Sequence, residues 1–168
     1  MKKSRKDRAV YTMVYASAIA AIYVTITMMF APIAFGPIQF RISEALCILP
    51  CFTAAAVPGV VIGCLLANFL CGAAALDVVF GTFATLIGAV GSYALRKTRW
   101  AVCIPPILSN TVIIPWVLRY AYGSADLIPA AMVTVGIGEI LAVGVLGNGL
   151  RMLLERYKGV VFGRMLAS

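Results

Sequence analysis

The sequence predicts an all-α membrane protein of six transmembrane helices, with both termini on the cytoplasmic side. Three observations carry that expectation. The 168 residues are 62% hydrophobic and only 12% charged, with a mean hydropathy of +1.00, more apolar surface than a soluble domain of this length needs. Two stretches, 9–40 and 45–76, each run thirty-two residues without a charge. At about 1.5 Å per residue, either exceeds the roughly 30 Å hydrocarbon core of a bilayer. The net charge of +8, finally, is gathered into clusters beside the apolar runs.

Taken in order, the basic head MKKSRKDR precedes a first span at 10–30, ended by Pro32 and Pro37. Its charge order is that of a signal peptide, but the apolar run is too long and lacks a cleavage site, so a retained span is expected. The stretch 45–76 reads either as one long helix or as a hairpin of two, with Pro50 and Pro58 interrupting it and Pro58-Gly59 as the turn. Further spans follow at 78–95, 100–118 and 127–149.

Charge decides between the two readings. Five basic residues precede Ala9, three lie at 96–99 and four follow Gly149. With six spans all of these fall inside, and only Arg41 and Arg119 fall outside, as the positive-inside rule requires. Five spans would put the larger share outside. The second span, 42–56, is then short, about 22 Å at that rise. One membrane-embedded domain, 1–168, results, with a basic head at 1–9 and a basic tail at 151–168.

Several function classes drop out. No phosphate loop of the GxxxxGK[ST] kind is present, so the chain does not itself use ATP. Histidine is absent, the serines have no neighbouring base, and no nucleophile constellation appears; an enzyme is not expected. The basic clusters flank apolar runs and match no nucleic-acid-binding pattern. Cys47, Cys51, Cys64, Cys71 and Cys103 lack zinc spacing and read as small apolar packing residues, so neither a metal nor a cofactor is expected.

The polar residues within the spans are the informative ones. Glu139 lies about 18 Å below the outer surface, and a carboxylate at that depth costs roughly 2.5–3.5 kcal/mol unless it faces a cavity or partner. Asn68 and Asn110 lie at about 12 Å, so one polar layer with Glu139 is conceivable; interhelical hydrogen bonds would explain them equally. Asn148, nine residues beyond Glu139, points to the opposite face and reads as a helix-packing or terminal residue. Arg41-Ile42-Ser43-Glu44 opens span two, where Ser43 suits a cap and Glu44 the positive helix end; an Arg41–Glu44 pair closing over a ligand is the alternative. Asp77 and Asp126 fall at span ends. Trp116, Tyr120 and Tyr122 belong to an interfacial aromatic belt or to a ligand contact. Small residues stripe span one (Ala16, Ala20), span three (Gly59, Gly63) and span four (Ala84, Gly88), allowing close helix approach inside the bundle or, for span one, to another membrane protein.

FGPIQFRISEALCILP, the following PGVVIGCLLANFLCG and six spans in under 170 residues resemble the QueT family. FRISEAL, at 40–46, is the most specific portion, and the likeness runs over about 14–150. Members are substrate-binding S components of energy-coupling factor (ECF) transporters for queuosine precursors. The resemblance implies capture of a 7-deazaguanine base from outside, and partnership with a transmembrane coupling protein and two ATP-hydrolysing subunits. It also carries the docking role of the span-one stripe onto Ala16 and Ala20. A deazaguanine offers adjacent N–H donors that one carboxylate can accept. Glu139 is the first candidate for that role, then Glu44, then Asp77. Asn68 or Asn110 would donate to the ligand carbonyl; Trp116, Tyr120 or Tyr122 would stack on the ring; Arg41 would gate the pocket. An S component for another vitamin-like heterocycle, and an assembly subunit that binds no solute, remain the competing readings.

Overall fold

A backbone in oil must satisfy its own hydrogen bonds, and this chain does so with helices; no strand occurs among the described residues. The computed structural model describes residues 5–34, 40–98 and 100–161. Helix α1 (Arg5–Met29) is followed by the short α2 (Ala31–Ala34) and a ten-residue 3-10 helix, Ile42–Cys51. Then come α3 (Ala56–Leu70), α4 (Ala75–Ala94), a 3-10 turn at Ala101–Cys103 and α5 (Ile104–Ala121). The last stretch is continuous: α6 (Ile128–Glu139), a π-helical segment Ile140–Gly147, and α7 (Asn148–Val161). The FGPIQ part of the motif, Arg99 and the tail beyond Val161 lie outside the described residues.

Four helical stretches are long and apolar enough to cross a membrane: Lys6–Met29, Ala75–Ala94, Ala101–Ala121 and Ile128–Tyr157. The two helices made from the ambiguous 45–76 stretch, Ile42–Cys51 and Ala56–Leu70, are apolar but shorter. That stretch is therefore a pair of helices, and its break falls at 52–55 rather than at Pro58-Gly59. Pro58 sits in the first turn of α3, where a missing N–H leaves no intrahelical bond unmade. The proposed cap is also different. Ser43 makes no cap; its hydroxyl pairs with Thr27 Oγ1 of α1 at 2.7 Å.

The helices pack in succession, α1 on α3, α3 on α4, α4 on α5 and α5 on α6. The 3-10 helix fills the middle, against the π segment, α4 and α1. Its residues Ser43 to Pro50 are all buried, so most of this element is covered by protein. The π segment meets it at Gly147, where a Cβ would stand in ordinary contact, 3.4 Å, with the Ala45 carbonyl oxygen. Burial also reaches the expected tail. Arg151 is buried and pairs with Glu155 at 3.3 Å, Leu150 and Leu154 pack on the core, and Tyr15 of α1 donates to the Val161 carbonyl at 2.6 Å. Positions 151–161 are thus part of the bundle.

One face expected to dock a partner is instead internal. Ala16 and Ala20 are buried against α3. A Cβ on Gly59 would meet the Ala16 carbonyl oxygen at 3.0 Å, and one on Gly63 would meet Tyr23 Cβ at 2.7 Å and Ala20 Cα at 3.2 Å. Two small-residue stripes face each other, and the backbones approach because neither carries bulk. Any docking surface on α1 must use its other face. Gly63→Val should therefore force α1 from α3 and cost about 1–3 kcal/mol, read as a fall of several degrees in the Tm of purified protein. Gly159→Ala, where a Cβ meets nothing within 4 Å, should not lower it.

Candidate functional site

Five charged side chains are buried among the described residues, and four of them (Arg41, Glu44, Asp77 and Glu139) belong to one cluster. Each comes from a different element: Arg41 precedes the 3-10 helix, Glu44 lies in its first turn, Asp77 in the first turn of α4, and Glu139 ends α6. Arg41 interacts electrostatically with Glu44 and Asp77, and Glu139 with Glu44 and Arg41. The packing thus gathers charges from three separate parts of the sequence, 41–44, 77 and 139.

Glu44 is the best-satisfied member. Its Oε1 accepts from the Tyr23 hydroxyl at 2.5 Å and lies 3.7 Å from Arg41 Nη1, while Oε2 accepts from the Cys47 thiol at 2.9 Å. Tyr23 and Cys47 are fully buried. With both oxygens occupied by the chain itself, Glu44 is a structural anchor that fixes the 3-10 helix to α1. Cys64 of α3 sits beside it, with Arg41 Nη1 at 3.8 Å, Asn68 Nδ2 at 3.6 Å and Thr85 Oγ1 at 3.3 Å from its sulfur.

Glu139 differs. Asn110 of α5 donates Nδ2 to its Oε1 at 2.9 Å, and Oε2 is buried with no partner among the described residues. Of the three side chains for which one polar layer was conceivable, Asn110 and Glu139 are in direct contact. Asn68 and Asp77 form a second pair: Asn68 Nδ2 donates to the Asp77 carbonyl at 3.4 Å. Tyr122 donates to Asp77 Oδ2 at 3.0 Å and accepts the Ala74 N–H at 3.1 Å. Burial raises the Tyr122 phenol above its ordinary pKa, so it stays a donor. Asn68 Oδ1 and Asp77 Oδ1 have no partner among the described residues. Three buried oxygens, on Asn68, Asp77 and Glu139, therefore await N–H or O–H donors, and groups in that condition are costly unless something satisfies them.

The remaining sequence candidates fall elsewhere. Trp116 and Tyr120 stack on each other, centroids 6.3 Å apart, and are exposed on the outer face of α5. They line an apolar recess of about 270 Å³ with Leu76, Phe80, Val112, Ile113 and Val117. Of the three aromatics, Tyr122 is the one that touches the polar cluster. Asn148 donates to the Gly144 carbonyl at 2.8 Å, a local bond beside the π segment. Asp77, read from sequence as a span-end residue and as the third candidate to read the ligand, is 1% exposed. Tyr23, Thr85 and the thiols of Cys47 and Cys64 were not legible as members; a tyrosine inside the first apolar run was the one available signal.

The model of the QueT transporter family matches residues 13–156. The chain belongs to the QueT transporter family. A curated relative, the queuosine precursor transporter QueT of Lactococcus lactis subsp. cremoris (strain MG1363), is 39% identical over 89 residues. That alignment covers 52% of this chain, which spans about half of the relative's length, 50%. No solved structure matches. Membership covers all four buried charges of the cluster, since each lies within 13–156. The relative is named as a transporter.

Proposed function

We propose that this QueT-family chain is the substrate-binding S component of an ECF-type importer, capturing a queuosine precursor from outside the cell. The ligand is a 7-deazaguanine base, and the chain crosses the cytoplasmic membrane six times with both termini inside. A transmembrane coupling protein and two ATPase subunits supply the energy.

One observation carries the reading: Oε2 of Glu139 is buried beside Asn110 without a partner among the described residues. A carboxylate so placed accepts N–H groups, and the amine and ring N–H of a deazaguanine present two side by side. The relative's name, queuosine precursor transporter, points to the same chemistry. The topology is supported by the positive-inside distribution and by the four long and two shorter apolar helices. A different vitamin-like heterocycle would present another donor pattern, and an assembly subunit would have no use for an unsatisfied carboxylate.

Ligand protection tests this. At about 100 times its dissociation constant, a ligand of the folded state stabilises by about 2.7 kcal/mol. A 7-deazaguanine should raise the Tm of the purified protein by several degrees, whereas thiamine, biotin and riboflavin should leave it unchanged. Protection by one of those vitamins, with none from deazaguanines, would overturn the proposal.

A further inference from the structure

Away from the polar cluster, α1 borders a groove of about 630 Å³. Its floor is the 3-10 helix at Ile42 and Leu46, and its walls are Ile22 and Ile26 of α1 and Leu150 and Leu154 of α7. Among the described lining residues Tyr15 alone has a polar side chain, and its hydroxyl is turned to the Val161 carbonyl at 2.6 Å. Close helix packing in a membrane uses small residues, and α1 already applies its small stripe, Ala16 and Ala20, to α3. The groove presents branched side chains instead, a surface that a flexible hydrocarbon chain fills and that keeps a helix backbone at a distance.

Length and charge say which hydrocarbon. From Tyr15 to Ile26 the groove runs about 16 Å along α1 at 1.5 Å per residue, close to one leaflet of a hydrocarbon core roughly 30 Å thick. Its Tyr15 end is also the basic end. There α7 runs from Arg151, 5.9 Å from the Trp100 ring centroid, to Val161 beside Tyr15, and it carries an exposed Arg156. Arg8, seven residues before Tyr15, continues the row of α1 that lines the groove; it is exposed, as is Lys6. Segments 1–8 and 151–168 hold nine of the fourteen basic residues and two of the six acidic ones, Asp7 and Glu155. Glu155 pairs with Arg151.

We infer that this groove seats an acyl chain of an anionic phospholipid, whose headgroup is held by the basic ends of α1 and α7. Arg8 stands about 10 Å beyond Tyr15 along the helix, the level of a phosphate when the chain lies between Tyr15 and Ile26. The bound chain covers the 3-10 helix on the side away from Glu44 and braces it against α1.

The test compares dioleoyl phosphatidylglycerol with dioleoyl phosphatidylcholine, which share their chains and differ in headgroup charge. Native mass spectrometry of delipidated protein, titrated with each, reads the affinities. Phosphatidylglycerol should form a one-to-one complex roughly 10- to 100-fold more tightly, since each basic residue near a membrane surface contributes about fivefold. Ile22→Trp fills the groove from a position that is 49% exposed; it should remove the complex and leave the lipid-free Tm unchanged. Lys6→Gln with Arg8→Gln, before the groove, should lower the preference roughly tenfold without altering phosphatidylcholine binding, whether or not the tryptophan variant folds. Equal affinities for the two lipids in the unaltered protein overturn the proposal. A preference that survives in folded Ile22→Trp, or the loss of Lys6 and Arg8, overturns it too. In native membranes, a benzophenone photo-crosslinker in place of Ile22 should label lipid; a protein adduct there makes the groove a partner's seat and contradicts the lipid assignment.

Discussion

Glu139→Gln should bind deazaguanines roughly 10- to 100-fold more weakly than the unaltered protein, with its ligand-free Tm unchanged or raised. The argument is one of donors and acceptors. Oε1 of Glu139 accepts from Asn110 at 2.9 Å, and a glutamine carbonyl can keep that bond. The second oxygen, buried and without a partner among the described residues, becomes an NH2 that faces the ligand's own N–H groups. Donor then meets donor, and a charge-assisted bond is lost. Stability should not suffer, because the substitution removes a buried charge and keeps the shape. Unchanged affinity, measured by titration calorimetry at equal folded fraction, would remove Glu139 from the site.

Glu44→Ala should fail in the opposite way. Glu44 holds the Tyr23 hydroxyl, the Cys47 thiol and Arg41 in the middle of the bundle. Removing it takes away the carboxylate 3.7 Å from a buried guanidinium, a change that costs about 3–5 kcal/mol in comparable buried pairs. The purified variant should unfold roughly 10 °C lower, or accumulate poorly in the membrane. Glu44→Gln, which can still accept from Tyr23, should lose less. Should Glu44→Ala keep its Tm while losing ligand affinity, Glu44 would be a ligand contact and its anchoring role would be wrong.

These two glutamates show what the sequence could and could not say. Glu139 was legible because one carboxylate in a long apolar run has few innocent explanations, whereas Asn110 was left between a shared polar layer and an interhelical hydrogen bond. Glu44 read as a helix-end charge, since its burial depends on Tyr23, twenty-one residues earlier, and no local pattern encodes that meeting. The burial of Asp77 was hidden for a related reason. Its position at a span end was right, but helix ends here fold under Tyr122 and Asn68 instead of opening to water.

Ala16 and Ala20 illustrate an ambiguity of a different kind. A small-residue stripe permits close approach without naming the partner, and Gly59 and Gly63 within the same chain proved to be that partner. The 3-10 winding of Ile42–Cys51 had no signal beyond Pro50 and the shortness of the segment. Helical class and the main apolar stretches were open to reading because a bilayer demands long uncharged runs. How those helices face one another is set by side chains distant in sequence.

The most direct measurement is a structure of the purified protein with a bound deazaguanine. The account predicts the exocyclic amine or ring N–H within about 3.2 Å of Glu139 Oε2, with the base enclosed by the polar cluster. Ligand lodged instead in the apolar recess of Leu76, Trp116 and Tyr120, with Glu139 untouched, would contradict it.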